Sequence, residues 1–302
     1  GLATLWFHVL TGRVLAWFGR GGRAPVRDAI LVDSIAPEHY GKSLGFERTL
    51  DTVGAIIGPA LAFGLIGLYH YRTVFFLTVI PGLIAAGIFT FAVHSRPIQK
   101  SSTAPKVSFR ALPSQFRWFL VAVAIFGIGD FAHTLLILRA TQILAPEMGS
   151  TAAKWAIALY LVHNVIYAGL STPVGAFGDR FGKVKILSLG YFVAVLMNLG
   201  FLFQPTHVLG LAILFGLGGV FIAVEDALER AVAADLLPEH VRATGFGTLA
   251  AVNGVGDLIS SAVVGLLWTK ISPAVGFGYA AVLSLAGAIF LFGLNRKMST
   301  TT

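Results

Sequence analysis

Charged side chains recur at helical spacing in two stretches of the sequence that are otherwise apolar. Arginines stand at positions 13, 20 and 27 of the first stretch, and residues seven apart on a helix drift by only about 20° per step and so share one stripe. The second stretch, about 200 residues later, is acidic. The basic stretch contains Arg13, Arg20, Arg23, Arg27 and Asp28, and the acidic stretch contains Glu225, Asp226 and Glu229. We expect the two helices to face each other across a central cavity.

The composition predicts that these charges lie in a membrane. Of the 302 residues, 56% are hydrophobic and 12% are charged, whereas soluble domains average about 45–50% apolar and about 25% charged residues. The mean hydropathy is +0.81. There is no cysteine, which excludes disulfides and thiolate chemistry. The net charge of +8 is spread over connections between apolar runs, so membrane topology accounts for it and no nucleic-acid partner is predicted.

An unpaired charge in the middle of a bilayer costs about 2.5–3.5 kcal/mol on insertion scales, so the two charged sets must pair or meet water. Three interpretations follow. In the first, the arginines attract an anionic substrate, and in the second, the carboxylates carry protons. In the third, a salt bridge such as Arg23 with Glu229 latches one conformational state.

A second candidate site combines a carboxylate with an imidazole. Asp130 precedes His133 by three residues, so the two side chains lie on neighbouring faces if the segment is helical. Both groups exchange protons near neutral pH when burial shifts their titration. They form a candidate proton relay, and the alternative is a helix–helix hydrogen bond. Asn164 is a further candidate, although such polar groups often serve helix packing.

Hydropathy with breaks at Pro, Gly and charge predicts nine spans, at about 3–32, 42–68, 73–93, 117–144, 152–174, 184–203, 208–235, 243–270 and 274–294. A polar, proline-containing linker at residues 94–116 joins residues 1–93 to residues 117–302. Most Lys and Arg residues of the connections fall on the side of this linker, which predicts a multi-pass protein of the cell membrane with a cytoplasmic linker and C-terminus.

An internal repeat relates the two parts. The sequence PEHYGKSLGF at residues 37–46 recurs as PEHVRATGF at residues 238–246. The second copy joins the fourth and fifth spans after the linker, whereas the first copy joins spans one and two. Parallel repeats related by an axis normal to the bilayer build one class of transporter. The repeat therefore predicts two bundles related by a pseudo-two-fold axis, with the first bundle lacking its three opening spans.

Residues 175–185 form a short polar stretch, GAFGDRFGKVK, between two apolar runs. We expect a tight loop at one membrane face, because the glycines permit a sharp turn. The spacing G-x-x-x-D-R-x-G-K resembles the loop signature of the major facilitator superfamily. Two further segments resemble signatures of that family, GAIIGP at residues 54–59 and the arginine at position 13. The resemblance covers the whole chain as helices four to twelve of a twelve-helix, all-α membrane transporter.

The resemblance implies roles for these residues. Asp179 would cap the start of the second span, around residues 41–45, and hold the outward-open state, while Arg180 or Lys183 would reach Asp235. The predicted gating set is Gly175, Asp179, Arg180, Gly182, Lys183, Lys185 and Asp235. Gly54, Gly58 and Pro59 would form a hinge or seal, or alternatively a simple packing face. Arg13 would face the pathway and take part in proton coupling, and the alternative is snorkelling to the headgroups.

These patterns favour a secondary active transporter over an enzyme. No catalytic, metal or nucleotide-binding motif is present, so we predict neither a cofactor nor a metal. The resemblance favours proton-coupled export of small amphipathic or drug-like molecules by alternating access, by a monomer. The alternatives are an importer of a small metabolite or sugar and a membrane sensor that transports nothing.

Overall fold

The structure is a computed structural model that describes residues 5–66, 68–92, 109–203 and 207–299. All regular secondary structure in these ranges is helical. The α-helices are α1 (Trp6–Asp33), α2 (Tyr40–Ile66), α3 (Tyr71–Leu77), α4 (Val79–Ala92), α5 (Ser114–Gly127), α6 (Thr134–Met148), α7 (Ala152–Phe181), α8 (Lys183–Leu202), α9 (Val208–Leu236), α10 (Arg242–Lys270) and α11 (Pro273–Ser299). Single 3-10 turns occupy Pro37–His39, Phe109–Ala111, Gly149–Thr151 and Glu239–Val241.

Five helical stretches of the described chain are long and apolar enough to cross a membrane. They are Thr134–Phe181, Lys183–Leu202, Val208–Leu236, Glu239–Lys270 and Pro273–Arg296. Large apolar side chains such as Phe91 (83% exposed) and Trp6 (77% exposed) point outward, as expected where the surrounding solvent is lipid. Helix α1 is long enough to cross a membrane but is not among these five stretches, because it contains four arginines and two aspartates.

The predicted fourth span is broken in the middle. α5 ends at Gly127 and α6 begins at Thr134, and the break leaves backbone carbonyls without helical partners. Side chains of other helices replace these partners, because the Tyr279 hydroxyl donates to the carbonyl of Ile128 over 2.7 Å and the Ser260 hydroxyl donates to that of Asp130. The expectation that Asp130 and His133 share one helix is therefore wrong.

The predicted third span is also divided, at Thr78. Pro81 lies in the first turn of α4, where its missing N–H costs no helical hydrogen bond. The Thr78 hydroxyl caps the preceding turn by donating to the carbonyl of Phe75 over 2.8 Å. The remaining predicted spans each correspond to one helix, and most of their ends agree to within three residues.

The expected tight loop at residues 175–185 is wrong in its extent. α7 continues to Phe181 and α8 begins at Lys183, so the turn is confined to Gly182, whose φ of 102° is unfavourable for any residue with a Cβ. Gly175 and Gly178 are helical and serve close packing instead. A Cβ at Gly175 would lie 3.1 Å from the backbone nitrogen of Lys42, and one at Gly178 would lie 3.0 Å from a methyl group of Leu228.

Packing concentrates in the part of the chain from α5 onward. The rings of Phe126 and Tyr191 stack with centroids 3.6 Å apart, and those of Phe201 and Phe277 stack at 4.9 Å. α2 packs along α7, and α1 contacts α10. Residues 94–108 of the predicted linker lie outside the described residues, so the division at residues 94–116, the pseudo-two-fold relation and the three missing spans stay predictions.

We use two names for the contacts that follow. The seam is the contact of α2 with α7 formed by Gly41, Gly45, Ser171 and Gly175. The polar end is the end of the molecule where α1, α7 and α9 finish and α2, α8 and α10 begin.

Candidate functional site

A cavity of about 790 Å³ lies between α1, α2, α9 and α10. Its charged lining residues are Arg20, Arg23, Arg27 and Asp28 from α1, Arg48 and Asp51 from α2, and Asp226, Glu229 and Arg230 from α9. The basic stripe and the acidic helix thus face one cavity, as we expected from the sequence. Arg13 and Glu225 are not among the lining residues.

The densest group of charges joins α1, α2 and α9. The guanidinium of Arg230 donates to Glu47 over 3.0 Å and to Asp28 over 3.4 Å. Arg27 contacts the same two carboxylates, at 2.8 Å from Glu47 and 3.0 Å from Asp28. The side chains of Asp28 and Arg230 are each only 9% exposed, so in this group each buried charge has the paired partners that burial requires.

A second group of charged and polar side chains joins α2 to α9 and α7. Nε of Arg48 lies 3.6 Å from a carboxylate oxygen of Asp226, and its Nη1 lies 3.4 Å from Asp51. The hydroxyl of Tyr167 donates to the other oxygen of Asp226. Asp51 also lies 3.8 Å from Arg20, but both of these side chains are about half exposed, so this pair contributes little.

Glu229 differs from the other carboxylates of the cavity. It is 2% exposed and accepts hydrogen bonds from the hydroxyl of Tyr191 and, over 2.8 Å, from the amide of Asn253. Among the described residues, no basic side chain lies within ion-pair distance of its carboxylate. The Arg23–Glu229 bridge, an example of one of the three interpretations, does not form between these described residues, because Tyr191 and Asn253 hold the carboxylate on the side of α8 and α10.

Sequence reasoning missed three charged residues of α2 and one of α9. Glu47, Arg48 and Asp51 directly follow the first copy of the repeat, and Arg230 follows Glu229. The available signal was charge inside a predicted span.

The polar end is closed by contacts between distant segments. The carboxylate of Asp179 accepts hydrogen bonds from the backbone N–H groups of Gly41 and Lys42, both over 2.8 Å. Lys183 donates to Asp235 over 2.9 Å and to the carbonyl of Pro37 over 3.2 Å. These are the contacts that we expected for Asp179 and Lys183, and their gating role stays a prediction.

Other members of the predicted gating and packing sets lie apart from this closure. The guanidinium of Arg180 lies over the ring of Phe181, at 5.1 Å, and Lys185 is exposed. A Cβ built on Gly54 or Gly58 would meet nothing within 4 Å in the described chain. Their proposed packing role, like that of Pro59, therefore stays a prediction.

In the second candidate site, the imidazole of His133 lies beside another histidine, His163, rather than forming the expected pair with Asp130. The ring of His133 lies 5.2 Å from that of His163, and His163, which is 2% exposed, contacts the carbonyl of Phe215 at 3.2 Å. Nε2 of His133 is buried and has no hydrogen-bond partner within the described part of the chain. The amide of Asn164 donates within its own helix to the carbonyl of Tyr160, so this group serves local structure.

Comparison with known proteins identifies the family. The sequence model of the family described as Major Facilitator Superfamily matches residues 1–144 and, in a second match, residues 119–301. The chain is 33% identical over 299 residues to an uncharacterized MFS-type transporter of Methanocaldococcus jannaschii, covering 97% of this chain and 73% of the relative. This chain belongs to the major facilitator superfamily. Its all-helical fold and its apolar spans agree with that membership.

More distant relatives have named substrates or phenotypes. The chain is 24% identical to the probable 4-methylmuconolactone transporter of Cupriavidus pinatubonensis, over 96% of this chain and 69% of the relative. It is 26% identical to the multidrug resistance protein MdtG of Proteus mirabilis, over 91% and 67%. Members of this family are multi-pass membrane transporters rather than enzymes, and the chain is therefore a membrane protein of the transporter class.

Proposed function

We propose that the chain exports small amphipathic or drug-like molecules by alternating access and that proton movement drives the export. In this account the cavity between α1 and α9 is the substrate pathway. The polar end and the C-terminus face the cytoplasm of a cell-membrane protein that acts as a monomer. The family supplies the general mechanism, in which one bundle rocks against the other.

The observation that carries the proposal is the environment of Glu229. Its carboxylate lies at the cavity wall, is 2% exposed, and is held by two neutral groups rather than by a cation. A buried carboxylate without a basic partner can bind and release a proton as its contact with water changes. The titratable groups around it are Tyr191, Glu225, Asp226, Asp257 and Asp130.

The polar end supplies the second half of the account. The hydrogen bonds of Asp179 bind α7 to the start of α2 at this end, and Lys183 of α8 contacts both Asp235 of α9 and the carbonyl of Pro37. Separation of these contacts would open the pathway at the polar end. The cavity contains exposed arginines, whereas the polar end is closed. This difference supports an outward-facing state, in which the cavity opens away from the polar end.

The direction of transport rests on sequence relatives and on one motif. Two observations favour export, the multidrug resistance name of the MdtG relative and the GAIIGP segment at residues 54–59. The transporter named for 4-methylmuconolactone supports small organic molecules as the substrate class. Neither relative exceeds about a quarter identity, so direction and substrate are the first properties to measure.

The test is gradient-driven transport in proteoliposomes. The purified chain should move a fluorescent amphipathic compound only when a pH gradient is imposed. Glu229→Gln should reduce this transport to the level of empty liposomes, because glutamine cannot bind or release a proton, while passive exchange of the compound persists. Glu147→Gln is the matched control, since Glu147 is exposed on α6, away from the cavity.

The outcomes separate the alternatives. An importer would accumulate the compound with the opposite gradient, and a sensor would bind it without moving it. Unchanged gradient-driven transport by Glu229→Gln would contradict proton coupling at this residue.

A further inference from the structure

Among the described residues that line the cavity, one cation has no ion pair. Four carboxylates contact four guanidinium groups around the cavity. The carboxylates are Asp28, Glu47, Asp51 and Asp226, and the guanidinium groups are those of Arg20, Arg27, Arg48 and Arg230. Two charged lining residues remain, Arg23 and Glu229. Glu229 has its two neutral partners, whereas Arg23 has no ion pair among the described residues.

Arg23 is placed to meet a bound molecule. It is exposed and lines the cavity, one helical turn from Gly19 and from Arg27 on the same face of α1. A Cβ built on Gly19 would meet nothing within 4 Å in the described chain, so α1 leaves open space one turn before Arg23. Opposite, Ala250 and Phe246 of α10 add an apolar wall.

The same arrangement disfavours a cationic ligand. Asp28, Glu47 and Asp226 each contact an arginine, and Asp51 lies 3.4 Å from Arg48, so Glu229 is the one carboxylate of this described group without an arginine partner. The carboxylate of Glu229 is buried behind Tyr191 and Asn253 and would have to give up both hydrogen bonds. A cation would therefore compete with existing pairs, whereas an anion would fill a vacant partner position.

We propose that this cavity binds small organic anions, with the guanidinium of Arg23 pairing with the carboxylate of the ligand. Guanidinium and carboxylate groups match as two parallel hydrogen bonds, which adds geometric selection to charge. The apolar body of the ligand lies against the small side chains of α1 and the wall of α10. This inference rests on the proposed function and narrows its substrate class from amphipathic molecules in general to amphipathic anions.

The test compares three probes that share one apolar body. The full chain in phosphatidylcholine nanodiscs is titrated with 2-naphthoate, 2-naphthamide and 2-naphthylmethylammonium. We expect the naphthoate to bind about tenfold or more tightly than the amide, in keeping with a charge-assisted contact, and the ammonium compound to bind weakest. Arg23→Gln should abolish the preference for naphthoate, and Arg23→Lys should retain part of it.

Two controls keep the result specific. Arg72→Gln changes another exposed arginine, on α3, and should leave the preference intact. Thermal unfolding of Arg23→Gln should match that of the wild type, because the residue is exposed and unpaired. Addition of phosphatidylglycerol should not displace the naphthoate; displacement would assign Arg23 to a lipid headgroup and overturn the inference.

Equal binding of the three probes, or a preference that survives Arg23→Gln, would also overturn the inference. The proposed function fails separately. If gradient-driven transport of neutral or cationic compounds is found, the proposed function stands and only the anion class is wrong. If binding selects naphthoate but no gradient moves it, the site stands and transport by this chain is wrong.

Discussion

Asp28 and Arg230 form a buried ion pair between α1 and α9. The two side chains meet at 3.4 Å, and both are 9% exposed. Because both side chains are buried, removing either one leaves the other charge with fewer partners.

A double-mutant cycle on Asp28→Asn and Arg230→Gln tests the strength of this contact. Each single change leaves buried charges with fewer partners and should lower the free energy of unfolding by about 1–3 kcal/mol. The coupling free energy should be about 1–3 kcal/mol. The measurement is unfolding in mixed micelles with increasing SDS, followed by tryptophan fluorescence.

The matched control is the exposed pair Arg20 and Asp51, whose atoms lie 3.8 Å apart. Its coupling should stay below about 0.5 kcal/mol. Additive effects at Asp28 and Arg230 would contradict a direct interaction between them.

For individual residues, the sequence predicted which charged side chains line the cavity better than it predicted which of them pair with one another. The seven-residue spacing of the arginines placed Arg20 and Arg27 on one cavity wall, because helical periodicity decides which side chains share a face. Arg27 pairs with Glu47 of α2 as well as with its neighbour Asp28, and the contact with Glu47 depends on how α2 packs against α9. Tertiary packing of this kind has no local signal, so the sequence could not show that Arg23 and Glu229 do not pair.

At the scale of helices, the seam depends on residues without bulky side chains. A Cβ at Gly45 would lie 2.8 Å from the backbone carbon of Ser171, and one at Gly41 would lie 2.9 Å from the carboxylate of Asp179. The hydroxyl of Thr49 extends the seam by donating to the carbonyl of Ala168 over 2.8 Å. Close backbone approach with hydrogen-bonding side chains is the usual way in which membrane helices associate.

Asp179→Asn should loosen the seam. The amide replaces one of two accepting oxygens and removes the charge, so a charge-assisted contact worth about 1.5–3 kcal/mol is weakened. The chain has no cysteine, which makes a single Ser171→Cys probe specific. Ser171 is 0% exposed, and we expect Asp179→Asn to raise its maleimide labelling rate about tenfold or more.

Glu239→Gln provides the control for this experiment, since Glu239 is an exposed acid in the turn at the same end of the molecule. Its labelling rate should equal that of the Ser171→Cys background. If Asp179→Asn behaved like the control, the hydrogen bonds to Gly41 and Lys42 would not hold the seam closed.

Helix positions were largely predictable, because long apolar runs must satisfy their backbone hydrogen bonds within the helix. Breaks inside a span were not. The break between α5 and α6 is stable because Tyr279 and Ser260 reach its carbonyls from α11 and α10. Likewise, the glycines of residues 175–185 suggested a loop, but Gly175 and Gly178 remain helical because neighbouring helices leave no room for a side chain.

At the scale of the whole molecule, two regions are relevant to transport, the closed polar end and the charged cavity. The polar end is held closed by Asp179 and Lys183, and a charged cavity lies between α1 and α9. Alternating access requires that these two regions exchange accessibility rather than open together. In our proposal, the protonation of Glu229 biases this exchange.

Reciprocal labelling tests this central claim most directly. Ser171→Cys reports on the seam, and Ala250→Cys reports on the cavity, since Ala250 is exposed at its wall. Both variants are labelled in proteoliposomes with and without an imposed pH gradient. We predict that the gradient raises the labelling rate at position 171 while it lowers the rate at position 250. Rates that rise together, or that do not respond to the gradient, would contradict proton-driven alternating access.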